Sequence, residues 1–283
     1  MHKPVPEAGP AAPPRLGPYA LMRRIGGGAM GALYLARDTR SGRERAVKTI
    51  ALGAAGEAAA ELRARFERES EAAGRLRHPG IVTVFDRGED EGQAWLAMEY
   101  LGGHDLTRHV AESGRLPLAQ VIDIGVQLAL ALAHAHGQGV VHRDIKPANV
   151  VLDPASGRVT LTDFGVARVA DALRTQTGRV LGTPAYMSPE QIAGLAVDGR
   201  CDLYALGVLL FHLSCARRPH EAQTLGALMN LIATQDAPNL RDLRPDAPEA
   251  LAALVARLLA KRPEARPADA DTLAQALQTL RQT

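Results

Sequence analysis

The chain has 283 residues, of which 46% are hydrophobic and 23% charged, enough for a globular protein with a packed core. Lys and Arg number 33 against 31 Asp and Glu, and the basic residues are scattered, which argues against a nucleic-acid-binding surface. Cys201 and Cys215 lie about 20 Å apart on one predicted helix, which excludes a disulfide between them. Two cysteines are also too few for a zinc site, and we expect a reducing, cytoplasmic compartment.

The chain opens with a proline-rich segment, residues 1–18, that has no apolar run. It predicts a flexible leader and neither a signal peptide nor an anchor. Further along, the apolar stretches Val121–Ala135 and Leu203–Leu213 are interrupted by polar residues. Both fall short of the roughly 20 residues that a bilayer span needs, so the sequence predicts no membrane span.

Two regions of different character follow the leader. From Tyr19 to Leu101, short strand-like segments with turn signals surround one predicted helix, Glu57–Arg77. Strands are predicted over Ala32–Ala36, Arg45–Ile50, Ile81–Phe85 and Gln93–Met98. The spacing then becomes helical, with helices predicted over Leu118–His136, Leu203–Cys215, Thr224–Ala233, Pro248–Ala260 and Ala268–Arg281. The predicted class is α+β: a small β-rich lobe with one helix, residues 19–101, and a larger, mainly α lobe, residues 102–283, joined at a hinge, Gly102-Gly103.

A glycine-rich segment, Gly26-Gly27-Gly28-Ala29-Met30-Gly31, precedes the first hairpin. Dinucleotide-binding folds share the G-x-G-x-x-G pattern, but there a helix follows directly, whereas an extended run and a turn follow here. Glycines in such a loop let backbone N–H groups approach phosphate oxygens. Considered alone, the segment fits a plain glycine-rich turn equally well.

Two charged residues occupy predicted apolar positions. Lys48 lies in the strand Arg45–Ile50, where an inward-facing charge is costly unless it is paired. Glu69 lies in the middle of a helical stripe formed by Leu62, Phe66, Ala73 and Leu76. An ion pair between Lys48 and Glu69 satisfies both positions. The alternative is that Lys48 reaches solvent and Glu69 lies at the edge of the stripe.

The most specific pattern is His142-Arg143-Asp144-Ile145-Lys146-Pro147-Ala148-Asn149, followed after a short predicted hairpin by Asp163-Phe164-Gly165. Phosphoryl transfer needs oxygen ligands for a metal ion, a group that accepts or orients the hydroxyl proton, and cations for the developing charge. The two segments provide all three. Together with the glycine segment, they resemble the eukaryotic-like protein kinase family, and especially the catalytic domain of bacterial serine/threonine kinases of the Hanks type.

The resemblance extends from Tyr19 to Leu280 and implies a two-lobed protein kinase fold that uses ATP and Mg²⁺, with Mn²⁺ as a possible substitute. It implies that Asp144 is the catalytic base, that Lys146 neutralises the transferred phosphoryl group, and that Asn149 and Asp163 hold the metal ions. The nucleotide-binding residues that it implies are Ile25, Gly26, Gly27, Gly28, Ala29, Met30, Gly31, Ala32, Leu33, Ala46, Lys48, Glu69, Met98, Glu99, Leu101 and Asp105.

Within that set, the resemblance gives several residues a particular role. Met98 is the expected gatekeeper, the Glu99 carbonyl and the Leu101 N–H are expected to meet the adenine edge, and Asp105 is expected near the ribose. Lys48 and Glu69 are expected to form the ion pair of the active state.

The resemblance favours the Ser/Thr branch of the family, because Lys146 follows Asp144 by two residues and Gly182-Thr183-Pro184 occurs further on. Thr183 is expected to contact Asp144 and Lys146. Thr175 and Thr177 are candidates for autophosphorylation, with Arg143 receiving the phosphate. The alternative for these two threonines is that they are unmodified.

Two expected roles are structural. Asp202 is expected to brace the catalytic loop, and Glu190 and Arg266 are expected to form a buried pair in the larger lobe. Three residues depart from the usual family pattern: Leu33 in place of Val, Ser188 in place of Ala, and His220 in place of Phe.

Two other protein classes share much of this pattern. A pseudokinase typically lacks one of Lys48, Asp144, Asn149 or Asp163, and all four are present. A small-molecule phosphotransferase lacks a segment such as Thr183–Glu190, which ends in a Pro-Glu motif. The expected partners are therefore proteins with Ser/Thr acceptors, and a homodimer through the smaller lobe is a further possibility. Because the catalytic module accounts for nearly all 283 residues, we expect no sensor domain in this chain unless it is a fragment of a receptor kinase.

Overall fold

The computed structural model of the protein describes residues 14–28, 31–52, 57–90, 92–112, 114–164 and 184–282. Within them, the strands are β1 (Arg15–Leu16), β2 (Tyr19–Gly28), β3 (Gly31–Asp38), β4 (Glu44–Ala51), β5 (Val84–Asp90), β6 (Gln93–Met98), β7 (His104–Asp105), β8 (Val150–Leu152) and β9 (Val159–Leu161). The helices are α1 (Glu57–Arg75), α2 (Leu106–Glu112), α3 (Leu118–Gly137), α4 (Pro189–Ile192), α5 (Arg200–Cys215), α6 (Leu225–Thr234), α7 (Leu240–Leu243), α8 (Glu249–Leu258) and α9 (Ala270–Gln282).

The chain divides into two compact units, residues 1–63 with 84–100 and residues 64–83 with 101–283. The first unit is built on a six-stranded antiparallel sheet with the order β1-β2-β3-β4-β6-β5. Ala36, Val47 and Ala97 pack into one buried cluster with Tyr19 and Trp95. Side chains alternate between the two faces of a strand, so the residues on either side of Val47 lie on the other face of the sheet.

The second unit is mainly helical and has α5 at its centre. Almost every residue of α5 is buried, including the charged Asp202. Gly125 lets α3 lie close to two other helices, because a Cβ at this position would be 3.1 Å from Leu210 of α5 and 3.2 Å from Leu277 of α9. A small antiparallel sheet with the order β7-β8-β9 completes the unit.

Helix α3 is long and apolar enough to cross a membrane, judged by its 20 residues and mean hydropathy of 1.5. Buried helices of globular domains pass the same test, and 56% of its most apolar 18 residues are buried inside the protein. Its packing against α5 and α9 is that of a core helix.

The helices agree with the spacing of the apolar residues, since each predicted helix is present with ends shifted by a few residues. The strand predicted over Ile81–Phe85 is wrong in its position, because the structure has β5 over Val84–Asp90 instead. The apolar Ile81 and Val82 belong to the second unit, where Ile81 forms a bridge with Leu161 and the Val82 N–H donates to the Leu161 carbonyl (3.0 Å). The apolar residues thus pair with β9, while the more polar segment that follows them pairs with β6.

Both cysteines lie on α5, as predicted, and both are free and buried. Burial raises the pKa of the Cys201 and Cys215 thiols, which keeps them protonated and unreactive at neutral pH.

His220, the residue that replaces the usual Phe, is buried beside Lys261. Lys261 Nζ donates to His220 Nε2 (3.2 Å) and to the Ile232 carbonyl at the end of α6 (2.9 Å). Burial and the Lys261 charge lower the pKa of His220 to about 4, although Asp236 acts in the opposite direction. The folded protein therefore resists protonating a side chain that the unfolded chain protonates below about pH 6.5.

We predict that the contribution of His220 to stability is present above about pH 6.5 and decreases as the pH falls towards 4, by about 2 kcal/mol at pH 5. In His220→Gln, the amide oxygen can still accept from Lys261 but does not titrate. Denaturant unfolding at pH 7.5 and pH 5 measures how much free energy of unfolding each protein loses on acidification. The loss should be smaller for this variant than for the wild type. Equal losses in the two proteins would refute this role of His220.

Candidate active site

The sheet of the first unit places four predicted nucleotide-binding residues on one face. Leu33 is directly opposite Lys48, and Met98 is directly opposite Ala46. Because Ala46 and Lys48 are two residues apart on β4, all four side chains lie on the same face. Ala46 and Met98 are buried, and Lys48 is half-buried. This face therefore presents an apolar surface that carries one ammonium group.

The glycines of the sequence motif end β2 and begin β3. Gly28 is opposite Gly31, and Gly27 is opposite Ala32. Gly31 has φ +152°, and a Cβ there would lie 1.7 Å from the Thr49 carbonyl oxygen, so only glycine fits. The Thr49 hydroxyl accepts from the Ala32 N–H (3.0 Å) and fixes the start of β3. The structure thus explains the last glycine of the motif by close approach to β4.

The second unit brings three predicted catalytic residues together in one loop. Lys146 Nζ donates to Asp144 Oδ2 (2.7 Å), and Asn149 Nδ2 donates to the same oxygen (2.9 Å) and to the Asp144 carbonyl (2.7 Å). The Asp144 carboxylate is one third exposed, whereas Asn149 is buried. The loop therefore holds one accessible carboxylate in a fixed orientation.

The β8–β9 hairpin brings Asn149 next to the segment that contains Asp163. Val150 is paired with Leu161, and the Thr162 N–H extends the ladder by donating to the Asn149 carbonyl (2.9 Å). Asp163 follows with φ +66°, a left-handed conformation that is uncommon for a non-glycine residue. The hairpin register explains how two segments that are separate in the sequence meet at one end of the small sheet.

Asp202 braces the catalytic loop as expected. Its carboxylate is fully buried and accepts from the backbone N–H groups of His142 (2.8 Å) and Arg143 (2.7 Å). His136 Nε2 donates to it as well (2.9 Å). Burial opposes ionisation, but the hydrogen bond and charge of His136 outweigh it, so that the pKa of Asp202 lies below its usual value. The brace is therefore a carboxylate at neutral pH.

His142 connects the loop to the segment around Asp163. Its Nδ1 accepts from the Asp144 N–H (3.2 Å), and its Nε2 donates to the Thr162 carbonyl (2.8 Å). The ring also meets the Phe164 ring edge-on at 4.6 Å. These contacts require the neutral tautomer that carries the proton on Nε2.

Glu190 and Arg266 form the expected buried pair. Arg266 donates to both carboxylate oxygens (2.6 and 2.8 Å) and to three backbone carbonyls, those of Ala260, Arg200 and Lys261. Burial works against the charge of Glu190, but the hydrogen bonds from Arg266 lower its pKa below the usual value. The pair links α4, α5 and the segment before α9.

The remaining predicted residues are placed as follows. Ile25 lies at a bulge of β2, Glu99 follows β6, Leu101 belongs to the helical unit and Glu69 is half-buried on α1. The Asp105 carboxylate accepts from the Thr107 N–H (2.9 Å) and so caps α2, a role that the sequence analysis did not include. Ala29, Met30, Gly165, Thr175, Thr177 and Thr183 lie outside the described residues.

Two side chains that support the catalytic loop were not predicted from the sequence: Gln191, which contacts the loop directly, and His136, which acts through Asp202. His136 acts at a distance from the loop, because its Nε2 donates to the Asp202 carboxylate (2.9 Å). Gln191 Nε2 donates to the Arg143 carbonyl (2.9 Å). Gln191 directly follows the Ser188-Pro189-Glu190 motif. This position is the one sequence signal that could have indicated a role for Gln191.

Comparison with known proteins agrees with this geometry. The model of the protein kinase domain family matches residues 19–279. The serine/threonine-protein kinase PknJ of Mycobacterium tuberculosis is 40% identical over 265 residues, which cover 91% of this chain and 44% of PknJ. The serine/threonine-protein kinase PrkC of Bacillus subtilis is 35% identical over 248 residues, covering 87% of this chain and 38% of PrkC.

A solved structure shows the same fold. The crystal structure of the Mycobacterium tuberculosis PknI kinase domain is 35% identical and superposes with a TM-score of 0.76, covering 96% of this chain and 99% of that one. The chain spans about two fifths of the length of the curated relatives PknJ and PrkC. Since the family model covers nearly all of the chain, the chain belongs to the protein kinase domain family and has the two-lobed protein kinase fold.

Proposed function

We propose that this protein is an ATP-dependent serine/threonine protein kinase, of the non-specific Ser/Thr class, which transfers the γ-phosphoryl group of ATP to Ser or Thr hydroxyls of proteins. The observation that carries the proposal is the cluster in which Lys146 and Asn149 both donate to the Asp144 carboxylate. A partly exposed carboxylate held by two donors can orient an incoming hydroxyl and accept its proton, with a cation beside it for the transferred group.

We propose that Asn149 and Asp163 hold Mg²⁺. Both Nδ2 contacts of Asn149 are to acceptors at Asp144, so its amide oxygen points away from that residue. Amide and carboxylate oxygens are suitable ligands for Mg²⁺ and also for Mn²⁺. When bound, the metal ion neutralises charge on the phosphates. Asn149 thereby serves two purposes, since one end of its amide orients Asp144 and the other faces the cation.

We propose that the apolar face of Leu33, Ala46 and Met98 receives the adenine and that Lys48 reaches the phosphates. The register supports this, because these side chains share one face with Lys48. We also propose that Lys48 pairs with Glu69. In α1 the stripe residues Leu62, Phe66 and Ala73 are buried, as is Leu76 directly after the helix, and Glu69 is half-buried among their positions, as an ion-pair partner requires.

Arg143 supports the proposed regulation by autophosphorylation at Thr175 and Thr177. Its Nε atom is buried and has no hydrogen-bond partner among the residues that the structure describes. A buried guanidinium N–H without a partner costs free energy that a phosphate oxygen would recover. We propose that a phosphate on one of these threonines binds Arg143, and that Thr183 contacts Asp144 and Lys146.

The function is tested by incubating the protein with radiolabelled ATP and Mg²⁺, first alone and then with a generic basic protein. We expect label on both proteins, and mass spectrometry should locate phosphate on Thr175 and Thr177. Phosphate at other residues alone would refute the proposed regulation. Label on neither protein, from a preparation phosphorylated beforehand by another kinase, would favour a pseudokinase or a small-molecule phosphotransferase.

We propose further that the protein acts in the cytoplasm, which its two free thiols support. A homodimer through the β-rich unit is proposed on the family resemblance alone. Sedimentation equilibrium of the wild-type protein would detect the dimer, and localisation of a tagged full chain would test the compartment.

A further inference from the structure

We infer that Gln191 is a positioning residue for the transfer reaction, and that it holds the Arg143 carbonyl so that Asp144 keeps its orientation. This inference rests on the proposed function. Gln191 lies on α4, outside the catalytic loop, and would act through the Arg143 backbone without touching a substrate.

The backbone of Arg143 needs such support. Its φ of +68° is left-handed, a conformation that costs free energy in a non-glycine residue and persists only where neighbouring groups fix it. Asp202 Oδ1 accepts the Arg143 N–H (2.7 Å), and Gln191 Nε2 donates to the Arg143 carbonyl (2.9 Å). The peptide groups on both sides of this α-carbon are therefore held by side chains from two different helices.

The bond to the Arg143 carbonyl also affects Asp144. The peptide group between these residues is planar, so a fixed Arg143 carbonyl also fixes the Asp144 N–H, which donates to His142 Nδ1 (3.2 Å). The direction in which the Asp144 side chain leaves the backbone depends on this plane. A displacement of the plane would move the carboxylate relative to Lys146 and Asn149.

Ser188 determines which end of the Gln191 amide faces Arg143. Gln191 Oε1 accepts from the Ser188 N–H (3.0 Å) and from the Ser188 hydroxyl (3.1 Å), and the Ser188 Oγ accepts from the Gln191 N–H (3.4 Å). This arrangement is a capping box at the start of α4. Because two donors face the amide oxygen, the NH₂ group must point towards the Arg143 carbonyl.

Two substitutions separate positioning from helix capping. Gln191→Glu keeps the acceptor of the capping box but replaces the NH₂ donor by an oxygen that faces the Arg143 carbonyl. We expect kcat to fall about 10-fold or more, with the KM for ATP changed by less than about two-fold. The matched control is Ser188→Ala, which removes the capping hydroxyl but keeps the Ser188 backbone N–H on Gln191 Oε1, so that the NH₂ donor still faces Arg143. We expect it to lower the melting temperature with kcat changed by less than about two-fold.

Amide hydrogen exchange of peptides covering residues 142–146 gives a measurement that does not require activity. Exchange should become faster in Gln191→Glu and not in Ser188→Ala. Unchanged kcat and exchange in Gln191→Glu would overturn the inference, as would a loss of kcat in both variants in proportion to melting temperature. If the wild-type protein transfers no phosphoryl group, the proposed function fails, and the exchange rates alone decide whether Gln191 holds the loop.

Discussion

Replacement of Asp144 by asparagine is expected to lower phosphoryl transfer by about 10²- to 10⁴-fold while the protein stays folded. An asparagine oxygen can still accept from Lys146 Nζ and Asn149 Nδ2, which lie 2.7 and 2.9 Å from the present carboxylate oxygen. The hydrogen bonds that order the loop are thus conserved, and the loss is confined to the negative charge and the capacity to accept a proton. The measurement is the initial rate of label transfer from ATP to a generic basic protein, combined with a thermal melt.

The control for this experiment is Asp123→Asn, which makes the same chemical change on the exposed surface of α3. It should transfer phosphoryl groups at the wild-type rate. Lys48→Met tests the phosphate contact proposed for the β-rich unit. This variant should also lower phosphoryl transfer by orders of magnitude without unfolding the protein. Wild-type rates in Asp144→Asn would refute the role assigned to this carboxylate.

Replacement of Arg266 by methionine is expected to lower the free energy of unfolding by about 3 to 5 kcal/mol. Methionine fills much of the volume but leaves the Glu190 carboxylate buried without its cation. Three backbone carbonyls also lose their donor. Urea denaturation followed by circular dichroism should show the loss, with a lower melting temperature of roughly 2 to 4 °C for each kcal/mol.

Two further variants show how much of this loss of stability arises because the ion pair is buried. Glu71→Gln breaks an exposed ion pair with Arg75 one helical turn away, and the change should stay below about 0.5 kcal/mol. Arg266→Lys keeps the charge but cannot reproduce the two-pronged contact, so its stability should fall between that of the wild type and that of Arg266→Met. If Arg266→Met lost no more free energy of unfolding than Glu71→Gln, the buried pair would contribute little to stability.

The secondary structure was predictable mainly where the apolar residues of a segment recur at one regular spacing. The long helices α3, α5 and α9 follow their apolar spacing, and their ends were predicted within three residues. The position of β5 was not predictable in this way. Its strand carries polar residues, while the more apolar Ile81 and Val82 belong to the second unit and pair there with Leu161 of β9, and such a long-range choice leaves no local pattern.

The chemistry of the site was predictable where residue type and spacing are themselves diagnostic. Asp144, Lys146 and Asn149 occur within one short segment, and the structure brings their side chains together. The contacts of Gln191 and His136 were not predictable, because each depends on the position of a side chain from a distant helix. Asp105 shows a further limit, since the same residue can serve a ligand or a helix cap and only the fold reveals the cap.

The close packing of α3 against α9 has a consequence for biosynthesis. Roughly 130 residues separate the end of α3 from the start of α9, so at typical translation rates the ribosome needs about 7 to 30 s to make them. During this time a helix as apolar as a membrane span lacks the partner that covers part of its surface. The nascent chain should therefore depend on chaperones most strongly before α9 emerges, and truncations that remove α9 should yield aggregated protein.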